Sequence, residues 1–223
     1  MPETRKQASA LRQPLDWILG RETHVRILRA LVQHGEYLSR AQIETATNLP
    51  TRTVNYALGR LADTGVLKTA GTSTVRMFAF APAHPLSPML HGLFESEAAR
   101  FRNLVRAISD VAETQSPSVK AVWLYGSVAR KEDRFDSDVD IAVFIDDVNG
   151  PAIRENVLTE LDRIGERFAV SISPIMVTLA DLEQAVAHGD PWWQTIRDEA
   201  RTLNGQRPIA VETEVKRQTF MVQ

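Results

Sequence analysis

The sequence contains no cysteine. That excludes disulfides, thiolate metal sites and cysteine nucleophiles, and it suits a reducing cytoplasm. No window approaches the ~20 apolar residues that a membrane-spanning helix needs. The opening stretch, MPETRKQASALRQPLDW, has no apolar core of signal-peptide length. The expectation is a cytoplasmic protein with no membrane partner. The five histidines, His24, His34, His84, His91 and His188, show no ligand spacing, so no zinc site is expected. Internal repeats and low-complexity tracts are also lacking.

What is present suits one large domain or two small ones: 223 residues, 43% of them hydrophobic, enough for a packed core. Net charge is only −2 but unevenly spread. Residues 1–80 hold 11 basic and 6 acidic side chains, whereas 81–223 hold 15 and 22. A basic first part on an acidic body suggests that an anionic partner meets the first part.

In RETHVRILRALVQ, residues 21–33, Val25, Ile27, Leu28, Leu31 and Val32 form a near-helical apolar stripe, which Gly35 would end. Ser39 with Gln42 makes a capping box that opens a short helix, RAQIETA. After the turn TNLP, the run TRTVNYALGRLADTG places Val54, Ala57, Leu58 and Leu61 at helical spacing, with Pro50 suiting its start and Gly65 its end. VLKTA and TVRMFAFA, joined by Gly71-Thr72-Ser73, read as a hairpin. Three helices and a hairpin match a winged helix-turn-helix plan. The stretch IETATNLPTRTVNYALGRLADTGVLKT resembles the winged helix-turn-helix regulators of prokaryotes, over residues 20–80. The resemblance implies that the third helix enters the major groove of double-stranded DNA while the hairpin touches backbone.

With Val54, Ala57, Leu58 and Leu61 inward, Arg52 and Tyr56 point away from the core, and Thr53, Asn55 and Arg60 lie on the flanks. Arginine and asparagine read guanine and adenine edges. Lys68 and Arg76 on the hairpin are candidates for phosphate contacts. The alternative is a merely solvated helix face, or a protein-binding module.

PAHPLSP, residues 82–88, marks a boundary. PMLHGLFESEAARFRNLVRAISDVAETQ then reads as one long helix, which either bridges two halves, pairs with its copy in a homodimer, or packs on the second domain. Beyond it, VKAVWLYG, DVDIAVFI and AVSISPIMVT read as strands. SVARKEDRFDS reads as a loop and helix start, and PAIRENVLTELDRIGERF, ADLEQAVAHG and PWWQTIRDEARTLNG read as helices. Alternating strands and helices argue for an α/β domain. The tail from Gln206 is expected to be poorly ordered or docked by its last few residues. The expected divisions are a flexible leader over 1–16, a DNA-binding domain over 17–84, a linker helix over 85–115, an α/β domain with a mixed sheet over 116–205, and a tail over 206–223. The fold class is two-domain α+β.

The stretch WLYGSVARKEDRFDSDVDIAVF, residues 123–144, carries the chemistry. Side chains alternate along a strand, so Asp138 and Asp140 share one face while Val139 and Ile141 face the core. Two carboxylates on one face repel, and a divalent cation resolves the conflict. Mg²⁺ commonly takes one or two carboxylates plus substrate phosphates. Upstream, Gly126 allows backbone N–H groups to approach a phosphate, and Ser127 adds a hydroxyl donor. Metal-assisted phosphoryl or nucleotidyl transfer uses this equipment.

The motif GSVARKEDRFDSDVD resembles the signature of the polymerase-beta-type nucleotidyltransferase superfamily, in particular its minimal prokaryotic members. Gly126-Ser127, Ala129-Arg130 and Ser137-Asp138-x-Asp140 carry the match, over residues 118–180. The resemblance implies that Asp138 and Asp140 are catalytic and bind Mg²⁺ (or Mn²⁺), and that Gly126 and Ser127 hold the triphosphate of an NTP. Arg130 either faces phosphate too or pairs with Glu132 or Asp133. Lys131 stands where a glycine is frequent.

Active members usually carry a third carboxylate on a later strand. Here FAVSISPIMVT offers only Ser171 and Ser173, and serine is a weak metal ligand. Losing one ligand weakens a two-metal site by on the order of 10–100-fold or more. Trp192 and Trp193 are expected to be core rather than base-stacking residues. Three readings follow: a DNA-binding regulator whose second domain binds Mg-NTP as a sensor or slow transferase; a working nucleotidyltransferase acting on a protein, RNA or small-molecule hydroxyl, in an antitoxin-like role; and a non-enzymatic dimerisation scaffold.

Overall fold

A computed structural model of the chain describes residues 15–72, 75–134, 136–145 and 150–221. The expected leader therefore falls largely outside the described residues. The chain divides into two units, 1–99 and 100–223.

The first unit begins with α1 (Leu15–Ile18), α2 (Glu22–His34), the two-residue β1 (Leu38–Ser39), α3 (Arg40–Thr47) and α4 (Thr51–Asp63). Two strands follow, β2 (Leu67–Gly71) and β3 (Arg76–Phe80). Gly35 ends α2 in the left-handed region at φ 76°, its N–H reaching the Leu31 carbonyl at 3.0 Å. The capping box forms as read: Gln42 N–H donates to Ser39 Oγ at 3.3 Å, and Ser39 N–H to Gln42 Oε1 at 2.8 Å. Strands β2 and β3 pair antiparallel from Leu67↔Phe80 to Gly71↔Arg76, and β1 pairs on the far side of β3, giving the order β1-β3-β2. At Gly71, φ is +100° and a Cβ would overlap the Val75 carbonyl oxygen, so the strand must close on glycine. Ser73 lies outside the described residues.

The unit's core joins Ile27, Leu28 and Leu31 of α2 to Ile43 of α3, to Val54, Ala57, Leu58 and Leu61 of α4, and to Phe78 of β3. Leu90 and Phe94, from the first half of α5 (Ser87–Thr114), complete it.

In the second unit, β4 (Val119–Leu124), α6 (Gly126–Arg130), β5 (Val139–Ile145), α7 (Gly150–Phe168), β6 (Ile172–Val177), α8 (Leu179–His188), α9 (Pro191–Glu199), β7 (Arg201–Gly205) and α10 (Pro208–Met221) follow in order. The sheet runs β6-β5-β4-β7. Strands β5 and β6 are parallel; the other pairs are antiparallel. It is a mixed sheet in an α+β arrangement, as the sequence suggests.

Alternation along the strands divides the apolar residues between two faces. Val122, Leu124, Val139, Ile141 and Val143 pack against the second half of α5 and against Val157, Leu161 and Ile164 of α7. Ala121, Trp123, Ala142 and Val177 face α8, α9 and α10 through Leu182, Trp193, Ile196, Val211 and Val215.

Two expectations are corrected. RTLNG does not continue a helix. Ala200 leaves α9 extended at ψ 139°, and Arg201–Gly205 pairs with β4. The tail from Gln206, expected to be poorly ordered or docked by its last few residues, instead forms a helix that docks from its first turns. Helix α10 buries Val211 and Val215, and its Glu212 accepts a hydrogen bond from Trp193 Nε1 at 3.1 Å. Glu212 also pairs with Lys216.

Candidate functional site

Tyr125 follows β4, and its backbone N–H donates to the Asp140 carbonyl at 3.0 Å. Antiparallel pairing at this point puts Tyr125 and Asp140 side chains on one sheet face. The chain then turns at Gly126 with φ +73°, where a Cβ would overlap Asp140 Oδ2. Gly126 is required twice over, by its left-handed backbone and by the carboxylate lying against its Cα. Helix α6 starts at this turn, and the first N–H groups of any helix lack intrahelical acceptors. Ser127 is half-buried in that first turn.

Asp138 precedes β5 and is exposed, whereas Asp140 is half-buried on the strand. The conflict inferred from sequence therefore falls mainly on Asp140. Burial, and then repulsion from Asp138, holds its carboxyl above the usual carboxylate range, against a smaller opposing pull from Arg130. Tyr125 is raised as well, first by burial and further by Asp140, and its ring meets Trp192 edge-on at 6.3 Å.

The parallel β5–β6 register sets Asp140 opposite Ser173. Ser171 lies before β6, and its carbonyl accepts the Val139 N–H at 2.8 Å. Of the two serines, Ser173 is the one beside Asp140 in the ladder. Among the described residues no group of three or more His, Cys, Asp or Glu side chains gathers at a common point.

Arg130 ends α6. Its Nε donates to Glu132 Oε2 and its NH1 to Glu199 Oε2, both at 2.9 Å. Glu132 was a candidate partner in the sequence; Glu199, 69 residues away, was not. Lys131 takes φ 62°, the left-handed conformation that a glycine would adopt without strain. The loop thus keeps its turn despite the substitution. Trp193 is buried against Trp123, while Trp192 is only partly buried.

In the first unit, α4 exposes Arg52, Asn55 and Tyr56 and half-buries Thr53 and Arg60. The Arg21 guanidinium lies 5.6 Å from the Tyr56 ring centroid. Asn55 and Arg76 meet in one hollow of about 530 Å³, lined also by Arg40 and Gly59. Lys68 is exposed elsewhere, its ammonium 5.0 Å from the Tyr37 ring centroid. Arg21 and Arg40 were missed in the sequence. Each precedes or opens a helix outside the third, and only the fold brings them beside α4.

No helix among the described residues is long and apolar enough to cross a membrane. Residues 106–187 match the family model of polymerase beta, nucleotidyltransferase. No curated protein matches the chain. Similar solved structures include a toxin-antitoxin structure with AMP-PNP, 14% identical over 53% of this chain and 89% of that one, with a TM-score of 0.35. The AntR antimony-specific transcriptional repressor is 21% identical over 46% and 93%, also at 0.35. TrmBL2, an archaeal chromatin protein, is 15% identical over 81% and 75%, at 0.28. Scores this low leave the functional argument to the site itself. At residues 106–187 the chain carries a nucleotidyltransferase domain of the polymerase beta family.

Proposed function

We propose that the protein is a DNA-binding regulator whose nucleotidyltransferase domain binds Mg-NTP, as a sensor or a slow transferase. The observation that carries this reading is the packing of Gly126 against Asp140, with Ser173 opposite Asp140 in the sheet. A backbone turn free of any Cβ lies directly on a carboxylate that burial and Asp138 keep short of charge compensation. Such a donor set fits a hard divalent cation, which takes oxygen ligands and commonly one or two carboxylates together with substrate phosphates. Asp138 and Asp140 would hold Mg²⁺ or Mn²⁺, and the Gly126–Ser127 turn the phosphates. When bound, the metal supplies charge neutralisation of the polyphosphate. The chain's own contribution is to fix Asp140 on the strand and to present N–H and hydroxyl donors. Ser173 offers neither a strong ligand nor a base at neutral pH, which favours binding over turnover.

The first unit supports the DNA reading through helices α2, α3 and α4, its antiparallel hairpin, and the cations around α4. We read it as a winged helix-turn-helix with Arg52, Thr53, Asn55, Tyr56, Arg60, Lys68 and Arg76 on the DNA side. Gel shift on the protein's own promoter tests this. Arg52→Ala is expected to weaken binding by about 1–3 kcal/mol and to relax preference at one base position. A shift that ignores Arg52 removes it from the base-reading set.

A further inference from the structure

Arg130 is four residues along α6 from the turn that abuts Asp140, about 6 Å of helix rise. A guanidinium grips an anionic oxygen pair with one of two edges, Nε with one terminal nitrogen, or the two terminal nitrogens. Here Nε is held by Glu132 and NH1 by Glu199. Each two-pronged edge is therefore already half occupied by a carboxylate oxygen. Glu132 is a local partner, two residues on. Glu199 comes from the last residue of α9, a separate element. All three side chains are substantially exposed, at 41% for Arg130, 65% for Glu132 and 42% for Glu199, so the pairs are exchangeable rather than locked.

We infer that Glu199 is an intramolecular competitor for the polyphosphate: its carboxylate stands on Arg130 where a phosphate oxygen would bind and sets the affinity threshold of the site. This rests on the nucleotide-binding reading above and deepens it. An incoming polyphosphate must displace Glu199 before Arg130 can offer the edge made by its two terminal nitrogens. A monoanionic ligand gains little by that exchange, and a metal-bound triphosphate gains more. Release frees the end of α9 just before Ala200 and β7, so occupancy is felt at that joint as well as at the metal site.

The test is calorimetry on the full chain with magnesium tripolyphosphate, which carries the anionic part common to all nucleoside triphosphates. Parallel arms with Mg-ATP and Mg-GTP separate a free polyphosphate ligand from a nucleotide. Glu199→Gln is expected to tighten binding about two- to fivefold, the range of an exposed ion pair. Arg130→Ala is expected to weaken it. The double variant Arg130→Ala, Glu199→Gln should match Arg130→Ala alone, because the competitor has nothing left to compete for. Thermal unfolding without ligand checks that each variant folds. If the wild type binds and Glu199→Gln binds equally or more weakly, the inference is overturned while the nucleotide reading stands. A gain from Glu199→Gln that persists in the Arg130→Ala background also overturns it. If neither the wild type nor Glu199→Gln binds any of the three probes, both fall together.

Discussion

Asp140 holds the account together at the scale of single residues. Its carboxyl is pushed up by burial first and by Asp138 second, so the folded chain holds that proton more tightly than the unfolded chain does. The stability this contributes is present below the unfolded value and is lost as pH rises through the folded one. At neutral pH the ionised group is a small cost. Asp140→Asn is expected to raise the unfolding temperature of the ligand-free protein by about 1 °C, since half-exposed charges are screened. The gain should vanish in acid, and the variant should lose all further stabilisation by Mg-NTP. Scanning fluorimetry at acid and neutral pH, with and without Mg-NTP, reads both effects. Nucleotide binding has the opposite pH dependence and weakens as Asp140 becomes protonated. Ser173 makes a second prediction. Ser173→Asp places a carboxylate opposite Asp140, and we expect it to raise label transfer from NTP by about 10-fold or more. No gain would mean that the missing ligand is not what limits turnover.

Much of this site was legible because its parts are local. Gly126, Ser127, Asp138 and Asp140 sit within fifteen residues of one another, and strand alternation alone predicts a shared face. Glu199 and Tyr125 were not legible. Their roles depend on β4 pairing with β5 and on α9 packing beside α6, which no short window encodes.

Single elements tell the same story with a different failure. The first unit's helices declared themselves through stripes, caps and glycines, and the structure keeps Gly35, the Ser39–Gln42 box and Pro50 at the expected ends. The C-terminal elements did not. Arg201 and Leu203 are good helix formers, yet pairing with β4 draws them into a strand, a tertiary override of propensity. In α10 the aliphatic core contacts come from Val211 and Val215 at i, i+4, with the polar Glu212 buried beside them, a pattern hard to distinguish from a polar tail in sequence. Helix α6 offers a direct test of local strain. Lys131 holds a left-handed φ that costs a non-glycine residue about 1–2 kcal/mol. Lys131→Gly relieves this but gains freedom in the unfolded chain, so a net stabilisation of up to about 1 kcal/mol is expected by urea unfolding. A loss of stability would show that the Lys131 side chain carries a contact worth more than the strain.

The whole molecule combines a basic first part with an acidic body, a division visible in the charge count alone. Two compact units, one with helices α1 to α4 and a hairpin, the other with a mixed sheet covered by helices, give that division a physical form. The long α5 contributes core residues to both units, Leu90 and Phe94 to the first and Leu104, Ile108 and Val111 to the second. At this scale the proposal is that Asp138 and Asp140 take up a cation together with a nucleoside triphosphate. Titration calorimetry of the intact chain with ATP, GTP, CTP and UTP, each with magnesium and then with chelator, tests it most directly. Saturable uptake of at least one nucleotide is expected, and it should disappear with chelator and in Asp138→Ala. Uptake that persists without metal, or no uptake of any of the four, contradicts it.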